Sequence, residues 1–375
     1  MSPPPTTPTP EPAGQSEKIP LFISAGQSNE SGRGWPEPAD IERGIPQVTT
    51  LGNDYVWKQL EEPADSAKGQ VDKVSEDTNA GHSSLVRLGK LLYAATGRPL
   101  TIIPCSRGSS SIVEWQPPAE RFDRSTLFGS ADYRIDQAIR AGRELTAFLW
   151  YQGENDTGRA ELREHYVARH RTMVDTFRRY YGDKPFIYSQ LGAHIVEADN
   201  YHFIREQQRR MEWCSGYAEA IPGHYMVVTH DLSLLDIVHL DTAGQLALAE
   251  RRALVIRRFV YGENINATGP RLVSITRPSP TTIKVKTTAT INDHDTYENY
   301  FTVFVAGTAA TIAALGRDPA DKTAVLITLA EAPAGPVTVQ YQPPVGRPLG
   351  KRLENVVKDE DGLPLPAFGP IGLFE

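Results

Sequence analysis

The stretch FISAGQSNESGRG, residues 22–34, places a serine, Ser28, in a glycine-rich corner directly after an apolar run. That run, IPLFISA (residues 19–25), is short and rich in Ile and Phe, as buried strands of parallel sheets are. Ser28 is therefore a candidate nucleophile at the end of a strand. The alternative is a turn residue without a catalytic role, since Gly and Ser are ordinary turn formers.

Four further apolar runs continue this pattern along the chain. In order they are LTIIPC (100–105), LTAFLWY (145–151), KPFIYSQL (184–191) and YMVVTH (225–230). Strands that alternate with helices predict a parallel sheet with helices on both faces. The carboxyl ends of its strands then share one rim, where open α/β sheets bind ligands. Residues 30–80 are rich in Gly, Pro and charged residues, and we expect them to form a long irregular segment near that rim.

Helical periods lie between the apolar runs, in residues 83–96, 161–181 and 242–259. We expect the last helix to begin with Asp241 or Thr242 as its cap. The apolar faces predicted for the first two helices are formed by Leu85, Leu88, Leu92 and Ala95, and by Leu162, Tyr166, Met173, Phe177 and Tyr180.

The composition changes at NINATGP, residues 264–270. The segments that follow alternate in polarity, are rich in Thr and Val, and are separated by turn residues, which predicts an antiparallel sandwich of roughly seven short strands. The predicted organisation is thus a Pro- and Thr-rich disordered tether over residues 1–18, an α/β domain over 19–263 and an accessory β-sandwich over 270–375. The tether has no charged start followed by an apolar core, so it is not a secretory signal as written.

The composition narrows the classes of partner. The 375 residues are 40% hydrophobic and 23% charged, with a formal net charge of −7. A negative chain without a long basic run argues against nucleic acid or an anionic membrane as the main partner. No apolar stretch approaches the roughly 20 residues that span a bilayer.

Neither the two cysteines nor the histidines have zinc-ligand spacing, and we expect Cys105 to be a buried free thiol. The oligomeric state is left open.

Three other predicted strand ends also carry polar residues. They are PCSRGSSSIVEW (104–115), LWYQGENDTG (149–158) and DLSLLDIVHLDTAG (231–244). A serine hydroxyl becomes a good nucleophile when a histidine takes its proton and a carboxylate orients that histidine. Asp236 and His239 are three residues apart, close enough to pair locally, although Asp231 and Asp241 compete for the role of Asp236.

Acyl transfer also needs hydrogen-bond donors that stabilise the oxyanion, the negatively charged oxygen of the tetrahedral intermediate. The backbone N–H of Ser28, a backbone N–H in the Gly108 loop and the side-chain amide of Gln152 are the candidates. The loss of one such donor typically raises the barrier by about 3–4 kcal/mol. Glu154 and Asp156 could instead be a glycosidase pair, but they are adjacent on one loop, whereas glycosidase carboxylates flank the substrate.

The blocks GQSNESGRG, CSRGSSSIVEW, WYQGEND and DIVHLDTAGQ resemble those of the SGNH hydrolases, and within them the sialate O-acetylesterase and family-6 carbohydrate esterase branch. The resemblance implies a flavodoxin-like three-layer α/β/α fold, with Ser28 as nucleophile, His239 as base and Asp236 behind it. It implies an oxyanion hole from Ser28, Gly108 and Gln152, with no metal or organic cofactor. Residues expected to support this site or to bind substrate are Gln27, Asn29, Ser109, Glu154, Trp35 and Trp115.

Two positions depart from the pattern of that branch. Ser109 stands where the second glycine of a GGT-type block is expected, so either its N–H or that of Gly108 could face the oxyanion. Glu30 stands where Met is frequent, which puts a charge beside the nucleophile and could alter the acyl or sugar pocket. The segment from about residue 270 onwards resembles Ig-like modules of bacterial and phage surface proteins.

The resulting hypothesis is a carbohydrate O-acetylesterase that acts on an acetylated glycan through an acyl-Ser28 intermediate. One alternative is a glycan-binding or virion adhesion module, motivated by the tether and the sandwich. Another is a lipase or thioesterase for longer acyl chains, although the charged, Gly-rich loop at 30–45 is poorly suited to a long acyl groove. An extracellular or virion-associated location is favoured over a cytoplasmic one.

Overall fold

The computed structural model of the chain describes residues 18–35, 43–196, 199–293, 297 and 300–374. The disordered tether predicted for residues 1–18 lies outside the described residues except for Lys18. The described chain is a mixed α/β structure with one large, mostly parallel sheet followed by two smaller antiparallel sheets.

The large sheet has seven strands. In chain order they are β1 (Ile19–Gly26), β2 (Val48–Leu51), β3 (Trp57–Gln59), β4 (Leu100–Pro104), β5 (Arg143–Tyr151), β6 (Phe186–Ser189) and β7 (His224–Val227). Their order across the sheet is β3-β2-β4-β1-β5-β6-β7, and every neighbouring pair is parallel except β2 and β3.

All five predicted strands are present, because long buried apolar runs give a clear pattern. The prediction that residues 30–80 form only an irregular segment was incomplete, since strands β2 and β3 lie within these residues. Their sequences, VTTL and WKQ, are short and half polar, so they carry no such signal.

Seven α-helices and one short 3₁₀ helix, Lys73–Ser75, are described. The α-helices are α1 (Ser28–Ser31), α2 (Leu85–Thr96), α3 (Leu127–Arg140), α4 (Ala160–Glu164), α5 (Tyr166–Tyr181), α6 (Asp199–Met211) and α7 (Thr242–Phe259). The helix predicted over 161–181 is interrupted at His165, and Ala95 is exposed rather than part of an apolar face. Asp241 caps α7, accepting a hydrogen bond from the Gly244 N–H at 2.7 Å. The sequence did not predict α3 and α6.

The central strand β1 delivers Ser28 to the rim of the sheet. Its core residues, such as Phe22 and Ile23, are fully buried. At its end Gly26 has φ +145°, and a Cβ there would lie 2.2 Å from the Tyr151 carbonyl oxygen of the neighbouring strand. Only glycine lets the two backbones approach this closely, and the sharp turn into α1 follows directly. Ser28 is thus the first residue of a helix at the carboxyl end of a central strand.

In the C-terminal part eight strands are described, against roughly seven predicted. They are β8 (Leu272–Ser279), β9 (Thr282–Thr287), β10 (Phe301–Val305), β11 (Thr308–Ala309), β12 (Ile312–Arg317), β13 (Ala324–Leu329), β14 (Val337–Tyr341) and β15 (Phe368–Gly372). They form two four-stranded antiparallel sheets, with orders β11-β10-β14-β15 and β12-β13-β9-β8. A second buried hydrophobic cluster, separate from that of the large sheet, lies in this part.

Cys105 is buried and unbonded to another cysteine, as predicted, and burial raises the pKa of its thiol to about 11. Cys214 is also free, and it is exposed. None of the described helices is both long enough and apolar enough to cross a membrane.

Candidate active site

Ser28, His239 and Asp236 form a continuous hydrogen-bonded chain at the rim. The Ser28 Oγ lies 2.9 Å from His239 Nε2, and His239 Nδ1 lies 2.8 Å from Asp236 Oδ2. Ser28 is 6% exposed, while the His239 and Asp236 side chains are more open, at 25% and 46%. This is the geometry in which an imidazole can take a proton from a hydroxyl while a carboxylate holds its other nitrogen.

The Asp-x-x-His spacing has a local structural reason. Asp236 Oδ1 accepts hydrogen bonds from the backbone N–H groups of Val238 and His239, at 2.9 and 2.8 Å, so the carboxylate shapes the turn that carries the imidazole. Burial acts to raise the pKa of Asp236, but the hydrogen bonds from His239 and from the turn outweigh it and lower that pKa overall. Asp236 therefore stays ionised beside the imidazole.

The two competing aspartates have other partners. Asp231 is fully buried and forms a bidentate ion pair with Arg251 of α7, with N–O distances of 2.7 and 2.6 Å. Asp241 caps α7 and also accepts from the Ser233 hydroxyl at 2.5 Å. Of the three aspartates considered in the sequence, Asp236 is the one placed on His239.

Asn29 ties the nucleophile helix to the loop that carries the histidine. Its Nδ2 donates to the Val238 carbonyl at 3.2 Å, and its Oδ1 accepts from the Leu240 N–H at 2.9 Å, so it holds both neighbours of His239. Glu154 Oε1 accepts from the same Nδ2 at 2.8 Å. Burial raises the pKa of Glu154 to about 7, against the opposing hydrogen bond from Asn29.

Gln27 and Gln152 organise the loop after β5. Gln27 Oε1 accepts from the Gly153 and Asn155 N–H groups at 3.3 and 3.2 Å. The amide nitrogen of Gln152 donates to the Ser110 carbonyl at 3.0 Å and to the carboxylate of Asp156. In this arrangement both N–H bonds of Gln152 are engaged, so the structure does not present its amide to an oxyanion.

The Gly108 loop is anchored by a carboxylate that sequence reasoning missed. Asp77 Oδ2 accepts hydrogen bonds from the Gly108 N–H at 2.9 Å, the Ser31 hydroxyl at 2.9 Å and the Arg33 guanidinium at 2.7 Å. Burial would raise the pKa of Asp77, but the bonds from Arg33 lower it overall. The Gly108 N–H is therefore committed to a carboxylate rather than aimed at substrate.

Ser109 is the neighbouring candidate. It has φ +58°, which turns the backbone sharply, and its side chain is exposed. Within the described residues, the N–H groups on both sides of it are engaged, that of Gly108 by Asp77 and that of Ser110 by the Arg107 carbonyl. The sequence analysis considered two backbone N–H groups as donors to an oxyanion, those of Gly108 and Ser109. Because that of Gly108 is engaged by Asp77, the N–H of Ser109 remains the candidate.

The aromatic residues near the rim divide into two environments. Trp115 is fully buried, donates to the Ser110 hydroxyl at 3.0 Å and packs edge-on against Trp150, so it cannot stack on a sugar ring. Trp35 is 62% exposed and lies at the edge of the described residues. Of the two roles expected for these residues, Trp115 has the supporting one, through its bond to Ser110. Substrate binding by Trp35 stays a prediction.

The charge of Glu30 is buried in the core and is not exposed at the rim of the sheet. The residue is 1% exposed and pairs with Arg252 of α7, which is fully buried. The Ser24 hydroxyl donates to the same carboxylate at 2.5 Å. A buried charge needs such a partner, so the charge at this position ties α1 to α7. The only signal in the sequence was the pair of arginines in an otherwise apolar stretch of α7.

Among the residues that the structure describes, we find no cluster of three or more His, Cys, Asp or Glu side chains suited to hold a metal ion.

A serine in a turn after a central strand, hydrogen-bonded to a histidine in a loop before the last helix, is typical of α/β serine hydrolases. Comparison with known families then gives a specific assignment. The chain belongs to the family described as "Carbohydrate esterase, sialic acid-specific acetylesterase", whose model matches residues 18–257. The predicted resemblance to the sialate O-acetylesterase branch is confirmed by this match.

A curated relative is a "Probable carbohydrate esterase" of Arabidopsis thaliana, 27% identical in a 155-residue alignment that covers 36% of this chain and 54% of that protein. The chain thus spans about half the length of this relative. Among solved structures, a carbohydrate acetylesterase from Xanthomonas citri covers 93% of this chain and 80% of its own, with 18% identity and a TM-score of 0.67. An Arabidopsis thaliana protein covers 64% of this chain and 99% of its own, with 20% identity and a TM-score of 0.55. These structural likenesses establish the fold.

Proposed function

We propose that this protein is a serine esterase that removes O-acetyl groups from a carbohydrate through an acyl-Ser28 intermediate. The observation that carries the proposal is the hydrogen-bonded chain from Ser28 through His239 to Asp236. Membership of a carbohydrate esterase family supports the substrate class.

The reaction proceeds in two halves. In the first, His239 Nε2 takes the Ser28 proton as Oγ attacks the ester carbonyl, and the imidazolium then gives that proton to the departing sugar oxygen as its bond to the acetyl carbon breaks. In the second, His239 takes a proton from water, the hydroxide attacks the acetyl-serine, and Ser28 regains its proton as acetate leaves. Asp236 stays ionised throughout and stabilises the imidazolium.

The oxyanion in both halves is stabilised by backbone donors. The Ser28 N–H belongs to the first turn of α1, in which the Glu30 and Ser31 N–H groups donate to the Gln27 carbonyl, and we assign the Ser28 N–H to the oxyanion. The N–H of Ser109 supplies the second donor, with Gly108 held behind it by Asp77. Gln152 supports this turn through the Ser110 carbonyl, a different role from the direct donation predicted from sequence.

We also propose the finer architecture expected from the sequence. The α/β part, residues 19–263, is a flavodoxin-like three-layer α/β/α domain, and residues 270–375 are an accessory β-sandwich. Helices α2 and α7, which pack on each other, and helix α3, which packs on β1 and β5, supply the covering layers.

The decisive experiment is release of acetate by the full chain and by Ser28→Ala, with an acetyl chromogenic ester, acetylated xylan and acetylated sialic acids as substrates. Ser125→Ala is the matched control, because Ser125 is an exposed serine outside the site. We expect Ser28→Ala to be inactive and Ser125→Ala to match the wild type. Activity that persists in Ser28→Ala would overturn the proposal.

The same assay separates the alternatives. Faster turnover of an octanoyl ester than of an acetyl ester would indicate a lipase or thioesterase. Glycan binding without any turnover by the wild-type chain would indicate an adhesion module.

A further inference from the structure

A segment of the C-terminal part, residues 342–353, crosses the loop that carries Asp236 and His239. Three of its backbone N–H groups donate to the other part of the chain. Each bonds to a backbone carbonyl. The Gly350 N–H donates to that of Leu234 and the Leu353 N–H to that of Asp231, both at 2.9 Å, and the Gly346 N–H donates to that of Ile195 at 2.7 Å. The two parts of the chain therefore share backbone hydrogen bonds beside the candidate active site.

Arg347 lies at the centre of this crossing. Its side chain is almost wholly buried, at 5% exposure for the residue, and its guanidinium donates to backbone carbonyls rather than to an acidic side chain. One nitrogen donates to His230 at 2.9 Å, and the other donates to Leu232 and to Lys351, both at 2.8 Å. The planar fork of arginine suits this role, because it can bond several fixed oxygens at once.

A second path reaches the loop from the same segment. Ile195, which accepts from Gly346, donates its own N–H to the Ile237 carbonyl at 3.0 Å. Ile237 lies between Asp236 and His239. The segment thus contacts the loop both before and within the Asp-x-x-His turn.

Residues 228–241 contain no helix or strand. Their internal hydrogen bonds are those of local turns, such as the bonds to Asp236 Oδ1 and the bond from the Leu235 N–H to the His239 carbonyl at 2.8 Å, so the position of the loop as a whole depends on contacts with other segments. Proton transfer requires the imidazole within hydrogen-bond reach of Ser28, and a misplacement of 1 Å can cost about a hundredfold in rate.

We propose that residues 342–353 brace the loop that carries His239, and that Arg347 is a positioning residue of the esterase. This inference rests on the proposed function. It makes the C-terminal sheets part of the catalytic unit rather than an independent appendage.

The test compares Arg347→Met with Arg271→Met. Arg271 joins the same two parts of the chain through an ion pair with Glu212, at 2.7 Å, but none of its described contacts reaches the loop. We expect kcat on an acetyl ester to fall about 10- to 100-fold in Arg347→Met with KM nearly unchanged, and to stay within about twofold in Arg271→Met. Arg347→Lys keeps the charge but loses the fork, so it should recover only part of the rate.

Hydrogen–deuterium exchange of residues 231–239 supplies a readout that does not depend on activity. Exchange should be faster in Arg347→Met than in Arg271→Met at equal global stability. Equal exchange in the two variants would overturn the brace, and faster exchange with unchanged kcat would overturn the positioning role. Failure of the proposed function would show differently, as a wild-type chain without esterase activity or an active Ser28→Ala.

Discussion

His239 Nε2 lies 2.9 Å from the Ser28 hydroxyl, although 211 residues separate the two along the chain. Asn29 strengthens this junction, since its side chain accepts from the Leu240 N–H and its carbonyl accepts from Gln245 of α7 at 3.0 Å. The nucleophile turn and the histidine loop are therefore tied together by a residue adjacent to the nucleophile. The alignment of hydroxyl and imidazole depends on these cross-links as well as on the pair itself.

The Asp77 anchor predicts a kinetic effect. In Asp77→Ala the Gly108 N–H and the Arg33 guanidinium lose their shared acceptor, so the turn that presents the Ser109 N–H is released. We expect kcat on an acetyl ester to fall by roughly 10- to 100-fold, less than complete loss of one oxyanion donor would cause. The measurement is steady-state kinetics with the acetyl chromogenic ester.

Asp72→Ala is the control for this variant. Asp72 is also a buried carboxylate paired with an arginine, Arg124, but none of its described contacts involves the nucleophile turn. Its removal should lower stability and leave kcat of the folded enzyme near that of the wild type. Equal kcat values for the two variants would contradict the anchoring role of Asp77.

The buried pair of Glu30 and Arg252 predicts a large effect on stability. Arg252→Met leaves an uncompensated carboxylate in the core and should lower the free energy of unfolding by about 3–5 kcal/mol. The double variant Glu30→Met/Arg252→Met removes both charges and should recover much of that loss. Urea denaturation followed by tryptophan fluorescence measures both.

Arg257→Met serves as the comparison on the same helix, since Arg257 pairs with Glu263 near the surface and its loss should change little. The interpretation of the buried pair would be wrong if the double variant were less stable than Arg252→Met alone.

Glu154 predicts a pH dependence of stability. Its pKa is raised by burial to about 7 in the folded chain, from an ordinary value of 4.5. The folded state therefore holds a proton that the unfolded state releases, so its stabilising contribution is complete below pH 4.5 and is lost as pH rises to about 7. At about 1.36 kcal/mol per pKa unit, the loss is on the order of 3 kcal/mol.

Glu154→Gln removes this titration and keeps an oxygen that can accept from Asn29. We expect the difference in unfolding free energy between pH 5 and pH 7.5 to become smaller in the variant, as measured by urea denaturation at each pH. Parallel pH dependences for the variant and the wild type would show that Glu154 does not titrate in this interval.

The sequence predicted the parallel strands and the residues that meet at the rim. Buried strands such as β1 and β5 appear as continuous apolar runs, and the residues that follow them, such as Ser28, can be identified because strand carboxyl ends share one edge. The Asp-x-x-His spacing could likewise be interpreted locally, since Asp236 bonds N–H groups only two and three residues away. Periodicity and short-range spacing are properties of the chain itself.

Only the tertiary structure decided which polar groups from distant parts of the chain bond to each other. The Gly108 N–H is engaged by Asp77, 31 residues away, and Arg347 reaches the His230 carbonyl across 117 residues. Nothing in the local sequence encodes such pairings, because they depend on how distant segments pack. A buried donor or charge must find whichever acceptor the folded chain brings to it.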